Sequence, residues 1–220
     1  MIQPSVLKFL KDLSRNNNKP WFDAHRKEYE NAKTAFHDSL TKVIKGIAGF
    51  DKPIGLLQAK DCTFRINRDV RFSKNKDPYK NNMGGYFNKD GKKGRGAGYY
   101  MHVQPGESFI AGGIWMPEPD VLAKIRQEID YNFDEWKKIT GTASFRNNFP
   151  KAFESGEKLS RPPKGYEADN PAIHFIKMKS YVITRSFSDK EITSAGFEQE
   201  VVKTFKVMKP VIDFINRSID

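Results

Sequence analysis

The sequence predicts an α+β protein, in which a mainly antiparallel sheet with a central β-hairpin is covered by N-terminal and C-terminal helices. Three observations support this class. Long apolar stripes with helical spacing lie near both ends, the middle alternates apolar and polar residues as strands do, and strands and helices do not alternate regularly. A chain of 220 residues can bury one sizeable core. We therefore expect a single domain over residues 1–220.

Two helices are predicted at the N-terminal end. The first extends from Pro4 to about Arg15, where apolar residues recur every three or four positions. Three asparagines, 16–18, end it. Pro20 opens the second helix, whose apolar stripe continues from Phe22 to Ile47. We expect the two helices to form an antiparallel hairpin that covers the sheet.

The middle of the chain is predicted to form the strands. Cys62 to Arg68 alternates, and Met83 to Asn88 is a second short candidate. Gly98 to Gln104 and Ser108 to Trp115 flank a Pro-Gly pair at 105–106. Because Pro followed by Gly suits the two central positions of a type II turn, these two strands should form a β-hairpin.

The C-terminal half is predicted to return to helices around one more strand. A helix should begin within 116–120 and continue to about Ile139, followed by an irregular stretch at 140–168. A short helix capped at 170–171 should reach Met178, before a strand from Ser180 to Phe187. The last helix should begin at Ser194, and Pro210 within it should kink or split it.

Composition excludes several classes of protein. Aromatic residues make up 13% and hydrophobic residues 38%, which is too much for a disordered chain. The sequence has no apolar run long enough for a membrane span and no secretory signal at its start, so no membrane partner is expected. The one cysteine, Cys62, has no internal disulfide partner and is expected to be a small core residue. These features favour the cytoplasm.

Positive charge is concentrated in one part of the chain. Residues 60–98 hold eleven basic and four acidic residues, so that +7 of the total net charge of +11 falls there. A concentrated positive field attracts phosphates, nucleic acid, acidic membrane lipids or an anionic metabolite. The predicted ligand-binding residues are Arg65, Arg68, Arg71, Lys74, Tyr79 and Lys80. Guanidinium groups bind carboxylate and phosphate oxygens in bidentate fashion, so these arginines suit an anionic ligand. The alternative is that they form ion pairs with Asp69 and Asp77 within the protein.

His102 and Asp69 are the candidate acid–base groups if the protein is an enzyme. His102 lies in the predicted hairpin, on the face opposite to Met101 and Val103. The four histidines and the cysteine lack metal-ligand spacing, so no metal site and no cofactor are predicted. The glycine-rich stretch 91–98 leads into a strand and lacks a GK[ST] ending, so it is not predicted to be a nucleotide-binding loop.

Several motifs together resemble a known family. They are Asn16–Phe22, Phe64–Asp69, Arg71–Lys74, Pro78–Lys80, Ala97–Tyr100, Gly112–Gly113, Met116–Pro119, Pro163–Tyr166 and Lys177–Ser180. With these motifs the chain resembles the bacterial conserved hypothetical proteins called domain of unknown function 2461. The resemblance covers nearly the whole chain. It implies a single cytoplasmic domain and no particular reaction.

Three functional hypotheses follow from these features. The leading one is an α+β domain whose Arg/Lys-rich site binds a small phosphorylated or carboxylated ligand. The alternative is a nucleic-acid-binding module that uses the basic strip 65–95. The third is a structural protein whose arginines are paired internally.

Overall fold

The computed structural model describes residues 1–154 and 156–219, which form two compact units. The first unit comprises Met1–Lys92, Tyr100–Ile110 and Ser186–Lys203. The second comprises Lys93–Tyr99, Ala111–Arg185 and Thr204–Asp220. The single domain expected over 1–220 stays a prediction. Within the described residues, no helix is long and apolar enough to cross a membrane.

The N-terminal region contains three helices: α1 at Pro4–Arg15, α2 at Lys19–Ala24 and α3 at Arg26–Ile47. The first was predicted at its observed bounds, but the predicted second helix is divided at His25. His25 leaves the helical conformation, with φ −107° and ψ 20°, while its ring stacks on Trp21 at 4.0 Å. The apolar stripe runs across this break, so the spacing alone did not reveal it.

The predicted strand from Cys62 to Arg68 is wrong. After a 3-10 turn at Lys52–Leu56, the helix α4 occupies Ala59–Cys62. The chain then continues as extended backbone with two isolated antiparallel bridges, from Thr63 to Gly85 and from Asn67 to Tyr79. The apolar and polar residues alternate in the sequence, but Cys62 and Ile66 are buried whereas Phe64 is 41% exposed, so the segment does not bury every second residue as a strand would.

The protein is α+β, with a four-stranded antiparallel sheet in the order β1-β2-β3-β4. The strands are β1 at Met83–Phe87, β2 at Gly98–Val103, β3 at Ser108–Ile114 and β4 at Tyr181–Phe187. The predicted hairpin of β2 and β3 is confirmed. The Glu107 N–H donates to the Gln104 carbonyl at 3.0 Å, and Gly106 adopts φ +76°, as the third residue of a type II turn requires.

The helices between β3 and β4 are shorter than predicted. The helix expected to reach Ile139 is divided at Asn132 into α5, Pro119–Tyr131, and α6, Phe133–Thr140. The stretch expected to be irregular contains α7 at Ala143–Asn148, capped by Thr142. The helix α8 occupies Ile173–Ile176 and follows a turn in which the Asn170 side chain accepts a hydrogen bond from the Ala172 N–H.

Two helices follow β4. The short α9, Asp189–Ile192, was not predicted, although Ser188 and Glu191 form a capping box around it. The last helix, α10, extends from Phe197 to Arg217 rather than starting at Ser194. Pro210 lies inside α10 without ending it.

Candidate functional site

Residues 64–80 form an irregular hairpin, which we call the basic hairpin because it holds six basic and two acidic residues. The Lys80 N–H donates to the Ile66 carbonyl at 2.8 Å, and the Arg68 N–H donates to the Pro78 carbonyl at 2.9 Å. These bonds flank the bridge from Asn67 to Tyr79. Residues 69–77 are therefore the loop that the hairpin presents.

Tyr79 anchors the basic hairpin to the first unit. Its side chain is 6% exposed, and its ring stacks on Phe22 with 4.0 Å between centroids. The Asn17 side chain donates to the Tyr79 carbonyl and accepts from the Tyr79 N–H, both at 3.0 Å. The predicted ligand-binding residue Tyr79 thus lies at the base of the hairpin, where its ring supports the loop.

The predicted cations differ in how freely they face solvent. Arg65, Arg71 and Lys74 are exposed. Arg68 is partly buried and donates from Nη2 to the Ser73 hydroxyl at 3.3 Å. The Lys80 ammonium donates to the Arg65 carbonyl at 2.9 Å, and burial, together with the charge of Arg65, lowers its pKa below the ordinary value for lysine.

Asp69 and Arg71 form a bidentate pair in the hairpin loop. Arg71 donates from Nε and Nη2 to the two carboxylate oxygens, at 3.0 and 2.6 Å. These hydrogen bonds hold the pKa of Asp69 below its usual value. The carboxylate therefore stays ionised and bound to its own arginine, which makes Asp69 a support for Arg71 and a poor proton acceptor.

His102 lies on β2 in the middle of a chain of polar side chains. The Tyr100 hydroxyl is 3.0 Å from Nδ1, and the Gln104 Oε1 is 3.1 Å from Nε2. Since an amide oxygen only accepts, Nε2 carries the hydrogen, and Nδ1 of a neutral ring accepts from Tyr100. Gln104 in turn donates to the Glu107 carboxylate.

Burial favours the neutral form of both rings in this chain. It lowers the pKa of His102 below its ordinary value and raises the pKa of Tyr100 to about 12. The hydrogen bonds of His102 involve Tyr100 and Gln104, whereas those of Asp69 involve Arg71. The two candidate acid–base residues are therefore in separate networks.

Two exposed aromatic side chains belong to the basic hairpin and were not among the predicted ligand-binding residues. Phe72 is 97% exposed and lies beside the Arg71 guanidinium, 5.9 Å from its ring centroid. Phe64 is 41% exposed, with the Lys80 ammonium 5.6 Å from its ring centroid. Phe64 belongs to the segment predicted as a strand, and the irregular backbone observed there exposes its side chain.

The glycine-rich stretch after β1 is held by specific contacts. The Lys92 ammonium donates to the Thr63 carbonyl at 2.6 Å, within the first unit. Arg95 forms an ion pair with Asp120 at 2.6 Å, within the second unit. Both cations are thus engaged by the protein itself.

Neither metal binding nor thiol chemistry is indicated by the described side chains. Over residues 1–154 and 156–219, no group of three or more His, Cys, Asp or Glu side chains is arranged to hold a metal ion. Cys62 is fully buried, as expected for a core residue. Burial raises the pKa of its thiol to about 11, so the nucleophilic thiolate is scarce at neutral pH.

No curated protein and no solved structure matches this chain. A family model does match it, over residues 5–214, and the match includes the basic hairpin and the strands that carry His102. The chain belongs to the conserved hypothetical protein family DUF2461.

Proposed function

We propose that this protein binds phosphate groups through the basic hairpin and that its ligand is a nucleic acid. The observation that carries the proposal is the concentration of six basic residues, against two acidic ones, in residues 64–80. A phosphate backbone gains most of its binding free energy from neutralisation by such cations. The single cysteine, which has no internal disulfide partner, favours the cytoplasm as the location.

The exposure of the cations favours an extended ligand. Arg65 and Lys74 are exposed, which suits contacts to successive phosphates of one chain. Phe72 at 97% exposure offers a ring face beside Arg71, and exposed aromatic rings among cations are typical of single-strand binders.

A small phosphorylated or carboxylated ligand is the second candidate. Partial burial of Arg68 and Lys80 favours it, because a half-desolvated cation binds a single oxyanion more strongly than an exposed one. Such a ligand would bind at the base of the hairpin and depend only weakly on salt.

The proposal is tested by fluorescence anisotropy with a labelled 20-nucleotide single strand. The double variant Arg65→Gln, Lys74→Gln removes two exposed charges from the hairpin. The matched control, Lys11→Gln with Lys45→Gln, removes two exposed charges from α1 and α3. We expect the hairpin variant to bind at least tenfold more weakly and the control to bind within about twofold of the original protein.

Two outcomes would contradict the proposal. One is equal affinity of the hairpin variant and its control. The other is the absence of nucleic-acid binding together with saturable binding of inorganic pyrophosphate, which would support the small-ligand candidate. Circular dichroism of each variant shows that the loss of binding is not a loss of fold.

A further inference from the structure

A row of aromatic side chains continues from the basic hairpin onto the sheet within the first unit. The aromatic row consists of Phe64, Tyr100, His102 and Phe109. Phe64 and Tyr100 have centroids 6.3 Å apart, and Tyr100 lies 5.9 Å from His102 and 5.8 Å from Phe109. His102 stacks on Phe109 at 4.6 Å. Each ring therefore touches the next without a gap.

All four side chains of the aromatic row retain access to solvent. Phe64 is 41% exposed, and Tyr100, His102 and Phe109 are each partly exposed, while Met101 and Val103 between them are buried. This alternation places the row on the face of β2 and β3 opposite to Met101 and Val103.

Gly84 allows Tyr100 to lie across the neighbouring strand. A Cβ on Gly84 would be 2.5 Å from the Tyr100 hydroxyl oxygen and 3.1 Å from two atoms of its ring. Only a residue without a side chain leaves this space on β1. The Tyr100 phenol therefore rests directly on the backbone of β1.

The hydrogen bonds that link Tyr100, His102 and Gln104 fix the orientation of the two rings at the centre of the aromatic row. Tyr100 donates to His102, which donates to Gln104, so neither ring rotates freely. A ring that is held in place before the ligand arrives loses little conformational entropy on binding. Preorganised rings of this kind suit the stacking of flat ligands.

Cationic and aromatic side chains lie next to each other where the aromatic row joins the basic hairpin. The Lys80 ammonium lies 5.6 Å from the Phe64 ring centroid, and Arg65 follows Phe64 in the chain. A phosphate bound by Lys80 would bring the base of its nucleotide next to Phe64. Single-stranded nucleic acids are recognised by this combination, because their bases are free to stack on aromatic side chains.

From this arrangement we infer that the aromatic row stacks the bases of a single-stranded nucleic acid whose phosphates are bound by the basic hairpin. The inference rests on the proposed function and adds the class of nucleic acid and the surface that receives its bases. Duplex nucleic acid keeps its bases paired and stacked on one another, so it would engage the hairpin alone.

The test compares three labelled ligands with equal numbers of phosphates: a single strand, a duplex and an abasic strand that lacks bases. We expect the single strand to bind at least tenfold more tightly than the abasic strand. A 2-aminopurine base in the single strand should lose fluorescence on binding, because stacking on an aromatic ring quenches it.

Substitutions separate stacking from phosphate binding. Phe64→Ala should weaken binding of the single strand by roughly tenfold, leave the abasic strand unaffected and leave the salt dependence unchanged. Phe64→Tyr should restore binding. Tyr131→Ala, which removes another exposed aromatic side chain, is the matched control and should have no effect.

Equal binding of abasic and normal strands, or an unquenched 2-aminopurine, would overturn the inference and leave the proposed phosphate binding intact. Equal affinity for the duplex and the single strand would overturn it as well. If none of the three ligands binds, both the proposed phosphate binding and the inferred base stacking are wrong. If Phe64→Ala unfolds the protein, the abasic comparison decides the question with the original protein alone.

Discussion

Asn17 binds both backbone polar groups of Tyr79, donating to its carbonyl and accepting from its N–H at 3.0 Å each. Asn17 lies between α1 and α2, whereas Tyr79 ends the basic hairpin. The contact thus joins the hairpin to the helical part of the first unit. It also sets the register in which Tyr79 stacks on Phe22.

Replacement of Asn17 should loosen the hairpin. Asn17→Ala leaves the partly buried N–H and carbonyl of Tyr79 without this partner, and we expect a loss of about 1–3 kcal/mol in the free energy of unfolding. Urea unfolding measures it. Asn16→Ala, which removes an exposed hydrogen bond to the Asp12 carbonyl, should cost less than about 0.5 kcal/mol. Equal midpoints for the two variants would contradict this role of Asn17.

Gly113 has a backbone conformation that other residues rarely adopt, with φ +121°, and a Cβ there would collide with the Tyr181 carbonyl oxygen. We expect Gly113→Ala to lower the free energy of unfolding by roughly 3 kcal/mol or more, because β4 backbone would have to move. Gly106→Ala should cost about 1 kcal/mol, since φ is also positive but no described atom lies within 4 Å of its Cβ. Thermal unfolding that ranks the two variants in the opposite order would refute this account.

The elements that the sequence predicted well are those with a local cause. The turn at Pro105–Gly106 follows from the fixed φ of proline and the positive φ open to glycine, and the hairpin of β2 and β3 was predicted from it. The helix breaks at His25 and Asn132 were missed, because the apolar stripe continues across both. Cys62–Arg68 looked like a strand because apolar and polar residues alternate there, although its pairing consists of isolated bridges from Thr63 to Gly85 and from Asn67 to Tyr79.

The candidate site was only partly visible in the sequence. The cluster of cations could be found by counting charge. The pairing of Asp69 with Arg71 is local, but the anchoring of Tyr79 by Asn17 joins residues 62 positions apart and depends on the tertiary fold. The link between Tyr100 and His102 had a usable signal, since residues two apart on a strand share a face.

Arg217 ties three helices of the second unit together. It donates to Glu128 on α5 at 2.6 Å and to Glu135 on α6 at 2.8 Å. These hydrogen bonds lower the pKa of Glu135. Because Arg217 is half exposed, we expect Arg217→Gln to cost only about 1–2 kcal/mol in the free energy of unfolding.

Chemical unfolding at low and high salt checks this prediction. The cost of Arg217→Gln should shrink in 1 M salt, because exposed charges are screened. Lys8→Gln, which removes the exposed pair with Asp12, should cost less stability than Arg217→Gln at low salt. If Arg217→Gln lowers the free energy of unfolding as little as Lys8→Gln does, Arg217 does not stabilise the three helices in this way.

Stability should fall as the pH drops below neutrality, in part because of His102. Burial lowers the pKa of folded His102 below the value near 6.5 of the unfolded chain, so the unfolded state binds more protons in this range. The free energy of unfolding therefore decreases as the pH falls from about 7 through the folded pKa. His37 contributes in the same direction, through burial and the charge of Lys33.

The pH dependence of unfolding for His102→Gln isolates this contribution. The variant should lose less stability than the original protein between about pH 7 and pH 5. His37→Gln should also reduce the loss of stability over this pH range. In the double variant, the two reductions should add. An unchanged pH dependence in His102→Gln would show that the ring is not held neutral by its surroundings.

We propose that the exposed cations of the basic hairpin bind a phosphate backbone. The most direct test is the slope of log K against log salt concentration for single-strand binding. Each phosphate contact contributes about −0.7 to that slope, so Arg65→Gln with Lys74→Gln should make it less steep by about 1.4. The Lys11→Gln, Lys45→Gln control should keep the original slope. A slope near zero, or the same slope in both double variants, would contradict the account.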